Sequence, residues 1–267
     1  MLVFPNAKIN IGLHILRKRN DNFHDLETLF YPVQWTDALE IITEKETEFF
    51  SSGLSIPSDN QDNLCLRAYH LLKKEFNLPN VHIFLHKIIP TGAGLGGGSA
   101  DASFTLKVLK ELFDLPLSFS DLENYATKLG SDCAFFIKNK PQIGTGRGEI
   151  LNDFDINLKG KHILLVYPAL NISTKEAFSK IRPQERAISI TEILKKDIKE
   201  WQFHLENDFE KSLFPIYPIL ENIKNNLYKN GALYASMSGS GSTIFGIFDQ
   251  KIEVDFPKQY LQKWTSE

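Results

Sequence analysis

Cysteine is nearly absent. The 267-residue chain carries two, Cys65 and Cys133, far apart and outside any CxxC pair, with no histidine at ligand spacing. That argues against a zinc site. A single bridge between them stays open on sequence, although two such thiols are more often buried small hydrophobes. No apolar run approaches the ~18 residues of a membrane-spanning helix. The first sixteen residues are fairly apolar, but Lys8 and Asn10 interrupt them, and the basic start and small-residue cleavage site of an export signal are missing. Neither sign of charge dominates: 30 Lys and Arg face 33 Asp and Glu, a net charge of −3, without the basic excess of a general nucleic-acid binder. The seven histidines form no HExxH or related metal spacing. These absences predict a cytoplasmic protein that partners neither membrane nor nucleic acid. What remains is ordinary globular composition, 42% hydrophobic and 24% charged. A chain of this length buries roughly 70–75% of its unfolded surface, in one large domain or two small ones.

The pattern alternates strand and helix. Ile9, Ile11, Leu13 and Ile15 share one face of an opening strand, which puts Lys8 and Asn10 on the other. "LETLFYPVQW" and "ALEIITEK" read as further extended segments, and 45–60 as loop with a short edge strand. Asp62 or Asn63 caps a helix over "LCLRAYHLLKKEF", with Leu64, Ala68, Leu71 and Leu72 on one face. "NVHIFLHKIIP" alternates as a half-buried strand. After a glycine cluster, "SADASFTLKVLKELF" has helical spacing, and Ser120 with Glu123 forms a capping-box pattern for a helix stopped by Gly130. "QIGTGRGEIL" reads as a bent strand or hairpin and "KHILLVYP" as a buried strand; "TKEAFSKI", "ITEILKKDI" and 205–213 are helix-like. A helix starts near Pro218 and stops at Asn230-Gly231, and "LYASMSGSGSTIFGIFD" is strand, turn, strand. The segment from 251 has weak pattern. The change in topology near 150–160 suggests two domains, 1–155 and 156–267.

"PTGAGLGGGSADA" (90–102) is the most informative stretch: five of the seven residues from Gly92 to Gly98 are glycine, between a strand and a helix. Glycine permits close approach to the backbone, and a helix start presents free N–H groups with the macrodipole behind them. Phosphate is the natural ligand. Gly92, Gly94 and Gly97 spell GxGxxG, but no second strand ending in an acid follows, so the dinucleotide fingerprint fails. Gly98 fills the lysine slot of a P-loop, so that fails too, and no HRD or DFG motif supports a protein kinase. "SMSGSGST" (236–243) reads either as a hairpin turn or as small residues that let backbone approach a ligand. Taken alone, Asp132 in "LGSD" is a cap or a surface carboxylate, Lys8 a solvated strand lysine, and Phe23-His24 a surface turn with one buried aromatic.

In combination these stretches resemble the GHMP kinases, the small-molecule kinases of galactose, homoserine, mevalonate and phosphomevalonate. "PNAKINIGLHI" (5–15), "PTGAGLGGGSADA" and "SGSGST" (238–243) fall in the family's order. "PNAKINIGLHILRKRNDNFHDLETLF", "LGSDCAFF", "GRGEIL" and "DNL" at 62–64 narrow the resemblance to the branch that phosphorylates the 2-hydroxyl of a cytidine-diphosphate-linked methylerythritol, in the non-mevalonate route to isoprenoid precursors. The resemblance implies a two-domain α/β (α+β) fold: an N-terminal nucleotide-binding α/β domain and a C-terminal α+β substrate-binding domain, with ATP and substrate meeting between them. It implies ATP and Mg²⁺ as cofactors, Asp132 as catalytic base and Lys8 as catalytic lysine. It assigns Pro90, the run Gly92, Ala93, Gly94, Leu95, Gly96, Gly97, Gly98 and Ser99, and Asn63 to ATP. It assigns Asn10, Phe23, His24, Thr174 and Phe178 to the substrate. No residue is assigned as a dedicated metal ligand, because Mg²⁺ bridges phosphate oxygens and needs few protein ligands. The expected partner is the cytidyl small molecule, and the expected state a monomer or weak homodimer.

The chain departs from the pattern at four positions in two motifs. The usual "GGGSSDAA" is here "GGGSADAS", so Ala100 and Ser103 differ, and the common "DGYH" is "DNFH". There Asn22 replaces glycine, a residue that tolerates left-handed turns, and Phe23 replaces the commoner Tyr. A mevalonate- or homoserine-type kinase shares the glycine loop but is expected to lack "NFHDLETLF". A non-catalytic relative is expected to lose Lys8 or Asp132.

Overall fold

The computed structural model describes residues 1–56 and 63–267. Asp62, one of two candidate helix caps, and residues 57–60 of the expected loop lie outside the described residues. Contacts cluster into two units that interleave along the chain: Met1–Lys8, Trp35–Thr91 and Gly96–Lys140 form the first, Ile9–Gln34, Gly92–Leu95 and Pro141–Glu267 the second.

The first unit is a sheet with helices packed on it. Its strands are β1 (Leu2–Val3), β4 (Ala38–Thr43), β6 (Val81–Lys87) and β5 (Glu48–Gly53), in the order β1-β4-β6-β5. β4 runs antiparallel to β6, and β5 is a parallel edge strand. Val81, Ile83 and Leu85 on β6 are buried on one face, as the alternation predicts. Helix α1 (Leu64–Phe76) packs on α2 (Gly97–Leu112), which lies against β4 and is flanked by α3 (Phe119–Thr127) and α4 (Phe135–Lys138). Asn63 caps α1, its side chain accepting from the Cys65 N–H at 2.8 Å. The buried stripe of α1 runs through Cys65, Ala68, Tyr69 and Leu72, while Leu64 and Leu71 are half-buried at its margin. The capping box of α3 is made by Ser118 and Asp121, two residues before the predicted Ser120 and Glu123. Both pairs fit the spacing; burial of Leu122, Tyr125 and Ala126 selects the earlier start.

The second unit holds the sheet β10 (Tyr234–Met237), β11 (Ile244–Phe248), β9 (His162–Tyr167) and β12 (Leu261–Ser266), antiparallel throughout in the order β10-β11-β9-β12. Strand β12 lies in the stretch whose pattern was weak, and its fixed partner is β9. A second sheet joins β2 (Asn6–Lys18), β3 (His24–Thr36), β7 (Gln142–Thr145) and β8 (Ile150–Asp153). Strands β2 and β3 run through both units, and β7-β8 is the predicted hairpin. Helices α5 (Thr174–Ser179), α6 (Ile190–Leu194), α7 (Ile198–His204), α8 (Asp208–Leu213) and α9 (Pro218–Lys229) complete the unit. The predicted helical segment 205–213 starts only at Asp208, and α7 before it was not predicted. Leu13, Ile15, Leu164, Phe209, Ile223 and Met237 lie in the core. Both cysteines are free and buried. Among the described residues no helix is long and apolar enough to cross a membrane.

Candidate active site

In the first unit, the two positions that the resemblance assigns to catalysis meet. Lys8 Nζ lies 3.2 Å from Asp132 Oδ2, with side-chain exposures of 4% and 35%. Lys8 is therefore not a solvated strand lysine. Its stem passes beside Gly96, where a Cβ would lie 3.1 Å from Lys8 Cγ and Cε and 3.0 Å from Phe136 Cζ. Gly96 has φ +69, so glycine is required there twice, for its backbone and for the lysine beside it. It is the residue before α2. The first amides of that helix have no intrahelical acceptor, which makes the end of the glycine run a phosphate-type site by geometry.

Asp132 sits in a short turn. Cys133 N donates to Gly130 O at 3.2 Å. The hydroxyl of Ser103, one of the residues that departs from the family pattern, reaches both Cys133 O at 2.7 Å and Ser99 O at 2.8 Å. The hydroxyl missing at Ala100 is thus matched by one at Ser103 that ties α2 to the Asp132 turn. Asn63, buried as the cap of α1, adjoins Leu64, whose Cδ1 lies 3.7 Å from a Cβ placed on Gly98.

Gly97 is glycine for a different reason. Its φ lies outside the positive range. A Cβ there would meet Ile89 Cγ2 and Lys87 Nζ, each at 2.9 Å. Glycine is needed at 97 for packing against the strand end beneath it. Pro90, just before the loop, is buried.

In the second unit, one residue from each of the three family motifs joins at Ser238. Its hydroxyl accepts from Asn10 N at 3.2 Å and donates to Gly94 O at 2.8 Å. Gly94 has φ +77, and any Cβ would collide with Ser238 O. Ala93 O accepts from Thr243 N at 3.2 Å. Ala93 and Leu95 are buried, and Gly92 faces Asn171. The serine-glycine stretch is the turn between antiparallel β10 and β11, and it is also where the glycine loop's backbone approaches closely. The hairpin-turn reading holds, and the close approach seen is to the glycine loop. Asn10 Nδ2 donates to Thr28 Oγ1 at 3.0 Å.

The expected substrate residues of this unit pair by stacking. His24 stacks on Phe178, ring centroids 5.0 Å apart at 21°. Burial, helped by the Lys18 charge, lowers the His24 pKa below the usual histidine range. Phe23 is 51% exposed, so the turn buries no aromatic there; its ring is instead covered by the Arg147 guanidinium at 4.8 Å. Arg147 was not predicted. It stands in "GRGEIL", the quoted hairpin, so its signal was a cation in a family block. Asn22 has φ +64, the left-handed turn expected of it. Thr174 opens α5 and is exposed, its hydroxyl 3.5 Å from Ser240 Oγ.

Among the described residues no three His, Cys, Asp or Glu side chains cluster to hold a metal. The oxygen donors of the first unit are of the hard type that Mg²⁺ takes. The Ser103 hydroxyl ties the backbone carbonyl of Ser99 to that of Cys133, the residue after Asp132.

Comparison with known proteins identifies the family. The family model for the GHMP kinases N terminal domain matches residues 63–140 and that for GHMP kinases C terminal matches 189–264. The chain is 52% identical over 263 residues to 4-diphosphocytidyl-2-C-methyl-D-erythritol kinase of Bacteroides fragilis, covering 96% of each. It is 50% identical over 254 residues to the enzyme of the same name from Cytophaga hutchinsonii, covering 95% of this chain and 94% of that one. A crystal structure of 4-(cytidine 5'-diphospho)-2C-methyl-D-erythritol kinase superposes with a TM-score of 0.78 at 30% identity, covering 92% of this chain and 89% of the other. Homoserine kinase from Cytophaga hutchinsonii, at 15% identity and a TM-score of 0.71, shares the fold. The chain belongs to the GHMP kinases, and within them to the 4-diphosphocytidyl-2-C-methyl-D-erythritol kinase family.

Proposed function

We propose that this kinase transfers the γ-phosphoryl group of ATP to the 2-hydroxyl of 4-diphosphocytidyl-2-C-methyl-D-erythritol, with Asp132 as base and Lys8 as its partner. The observation that carries the assignment is the Lys8–Asp132 pair, packed against Gly96 at the start of α2.

Phosphoryl transfer asks the protein to position groups and stabilise charge. An alcohol is a poor nucleophile near neutral pH, and Asp132 accepts its proton as transfer proceeds. The Lys8 ammonium, 3.2 Å away, favours negative charge on the attacking oxygen. The amides of Gly97, Gly98 and Ser99 take the ATP phosphates, with Gly92 to Gly96, Pro90 and Asn63 completing the nucleotide site. Ser99 and Asp132 are the residues that would hold Mg²⁺ arriving with ATP, and the ion would supply charge neutralisation at the phosphates. Phe23, His24 and Phe178 offer flat faces and a hydrogen-bonding ring for cytosine, and Asn10 and Thr174 further polar contacts. Arg147 adds a cation suited to the substrate's diphosphate. The reading takes the enzyme to act in the cytoplasm on a small molecule, as a monomer or weak homodimer, with no nucleic-acid or membrane partner.

The test is ADP release by purified protein with ATP, Mg²⁺ and a panel of alcohols. The cytidyl compound is expected to be the preferred acceptor. Efficient phosphorylation of mevalonate or homoserine with no turnover of the cytidyl compound would overturn the substrate assignment.

A further inference from the structure

The alternation of β6 continues past Leu85 to Lys87, a lysine 2% exposed on the core face of the strand. Its ammonium bonds Asp37 Oδ2 at 2.5 Å and Asp101 Oδ2 at 2.7 Å. Asp37, fully buried between β3 and β4, uses its other oxygen to accept from Ile88 N at 2.5 Å and Ile89 N at 2.8 Å. Asp101 lies on α2, and its second oxygen is buried without a partner among the described residues. Lys87 Nζ sits under the first residue of α2, 2.9 Å from the Cβ position of Gly97.

We propose that the Asp37–Lys87–Asp101 bridge positions the glycine loop for ATP, with Lys87 as the positioning residue. The inference rests on the reading of that loop as the phosphate site. The bridge holds both flanks of the segment. Asp37 fixes the amides of Ile88 and Ile89 on the entry side, and Asp101 fixes the first turn and a half of α2 on the exit side. The free amides at the start of α2 then stand in a set direction before any phosphate arrives, which is preorganisation. Apolar side chains would fill the same space with equal or better stability. Three ionisable groups in a dry site therefore point to direction rather than adhesion as their use.

The experiment compares steady-state kinetics of Asp101→Ala, Asp101→Asn and Gly98→Val with the wild type. Asp101→Ala releases α2 from Lys87 while Asp37 still balances the lysine. It is expected to raise the KM for ATP roughly tenfold, with kcat and the acceptor KM within about twofold. Asp101→Asn keeps an oxygen for Lys87 and is expected to restore most of the ATP KM. A Cβ on Gly98 makes ordinary contact with Leu64 Cδ1 at 3.7 Å and touches no member of the bridge, so Gly98→Val blocks phosphate approach without disturbing it. If Gly98→Val raises the ATP KM and Asp101→Ala does not, the bridge proposal is overturned and the loop reading stands. If neither moves it, the loop reading itself fails. Equal losses in Asp101→Ala and Asp101→Asn would also overturn a positioning role. Should Asp101→Ala not fold, the pair Lys87→Met with Asp101→Leu removes both members together. The same rise in ATP KM is then expected, and a wild-type value overturns the proposal.

Discussion

Lys8 Nζ and Asp132 Oδ2 stand 3.2 Å apart, one side chain almost wholly buried and the other about one-third exposed. That asymmetry suits a fixed cation beside a carboxylate that must meet an incoming hydroxyl. Asp132→Ala is expected to lower kcat by ~10²–10⁴ while leaving the fold intact, since general-base loss acts on the chemical step. Lys8→Met should cost ~10²–10³. Circular dichroism and steady-state ADP release check both, and near-normal turnover in Asp132→Ala removes it from the base role.

Gly97→Val carries a different expectation from Gly98→Val. A valine at 97 would press on Ile89 and on the Lys87 ammonium. Overpacking of this kind costs about 1–3 kcal/mol. The lesion should appear as a lowered melting temperature with ligand absent. If Gly97→Val melts like wild type, the packing account of this glycine is wrong.

The sheet strands and the long helices were legible because each has a buried face with its own period. β6 reads at Val81, Ile83 and Leu85, and α9 is delimited by Pro218 and Gly231. The weakly patterned stretch from 251 hid β12, whose edge-strand residues are largely exposed and which is fixed only by its pairing with β9. The close approach of Lys8 to Asp132 depends on tertiary folding, so spacing along the chain could not give it; the resemblance put both residues on the site. Lys87 was not singled out, although a charged residue in core register is a conflict between pattern and chemistry that marks a partner elsewhere. Arg147 and Ser103 had no periodic signal, because each acts through a single contact made by a turn or a helix packed from far along the chain.

The buried bridge also sets a pH dependence of stability. Burial, reinforced by the Asp37 charge and opposed by Lys87, pushes Asp101 up to about 7. An unfolded aspartate titrates near 3.9. Between these values the folded state holds the proton more tightly, so this contribution is fully present below about pH 4 and is lost as pH rises through about 7. Asp101→Asn cannot titrate. The melting temperature of the wild type minus that of Asp101→Asn should therefore fall from pH 5 to pH 8. A difference that stays flat across that range contradicts the shift.

On the proposed reading, recognition of the base is what separates this enzyme from relatives that share the fold. The cytidyl part of the substrate lies away from the transferred phosphoryl group, so its binding energy is available to orient the reacting hydroxyl. Methylerythritol phosphate without the cytidyl group should be a very poor substrate. A uridine analogue should also lose, because it exchanges donor and acceptor on the base edge and leaves site groups unpaired. Within the site, His24 stacks on Phe178, and Arg147 covers Phe23. His24→Ala should raise the KM for the cytidyl substrate while leaving that for ATP unchanged. Arg147→Gln should weaken the same substrate by about 0.5–1 kcal/mol, roughly two- to fivefold. The pH profile gives an independent check. Burial and the Lys18 charge lower the His24 pKa, so its neutral ring is the working form at pH 7. The substrate KM should rise on the acid side, as His24 gains its proton. That acid limb should vanish in His24→Gln. Specificity constants for the cytidyl, uridyl and truncated substrates, measured for wild type and His24→Ala, decide the matter: a uridine analogue used as well as the natural base would take His24 and Phe23 out of base recognition.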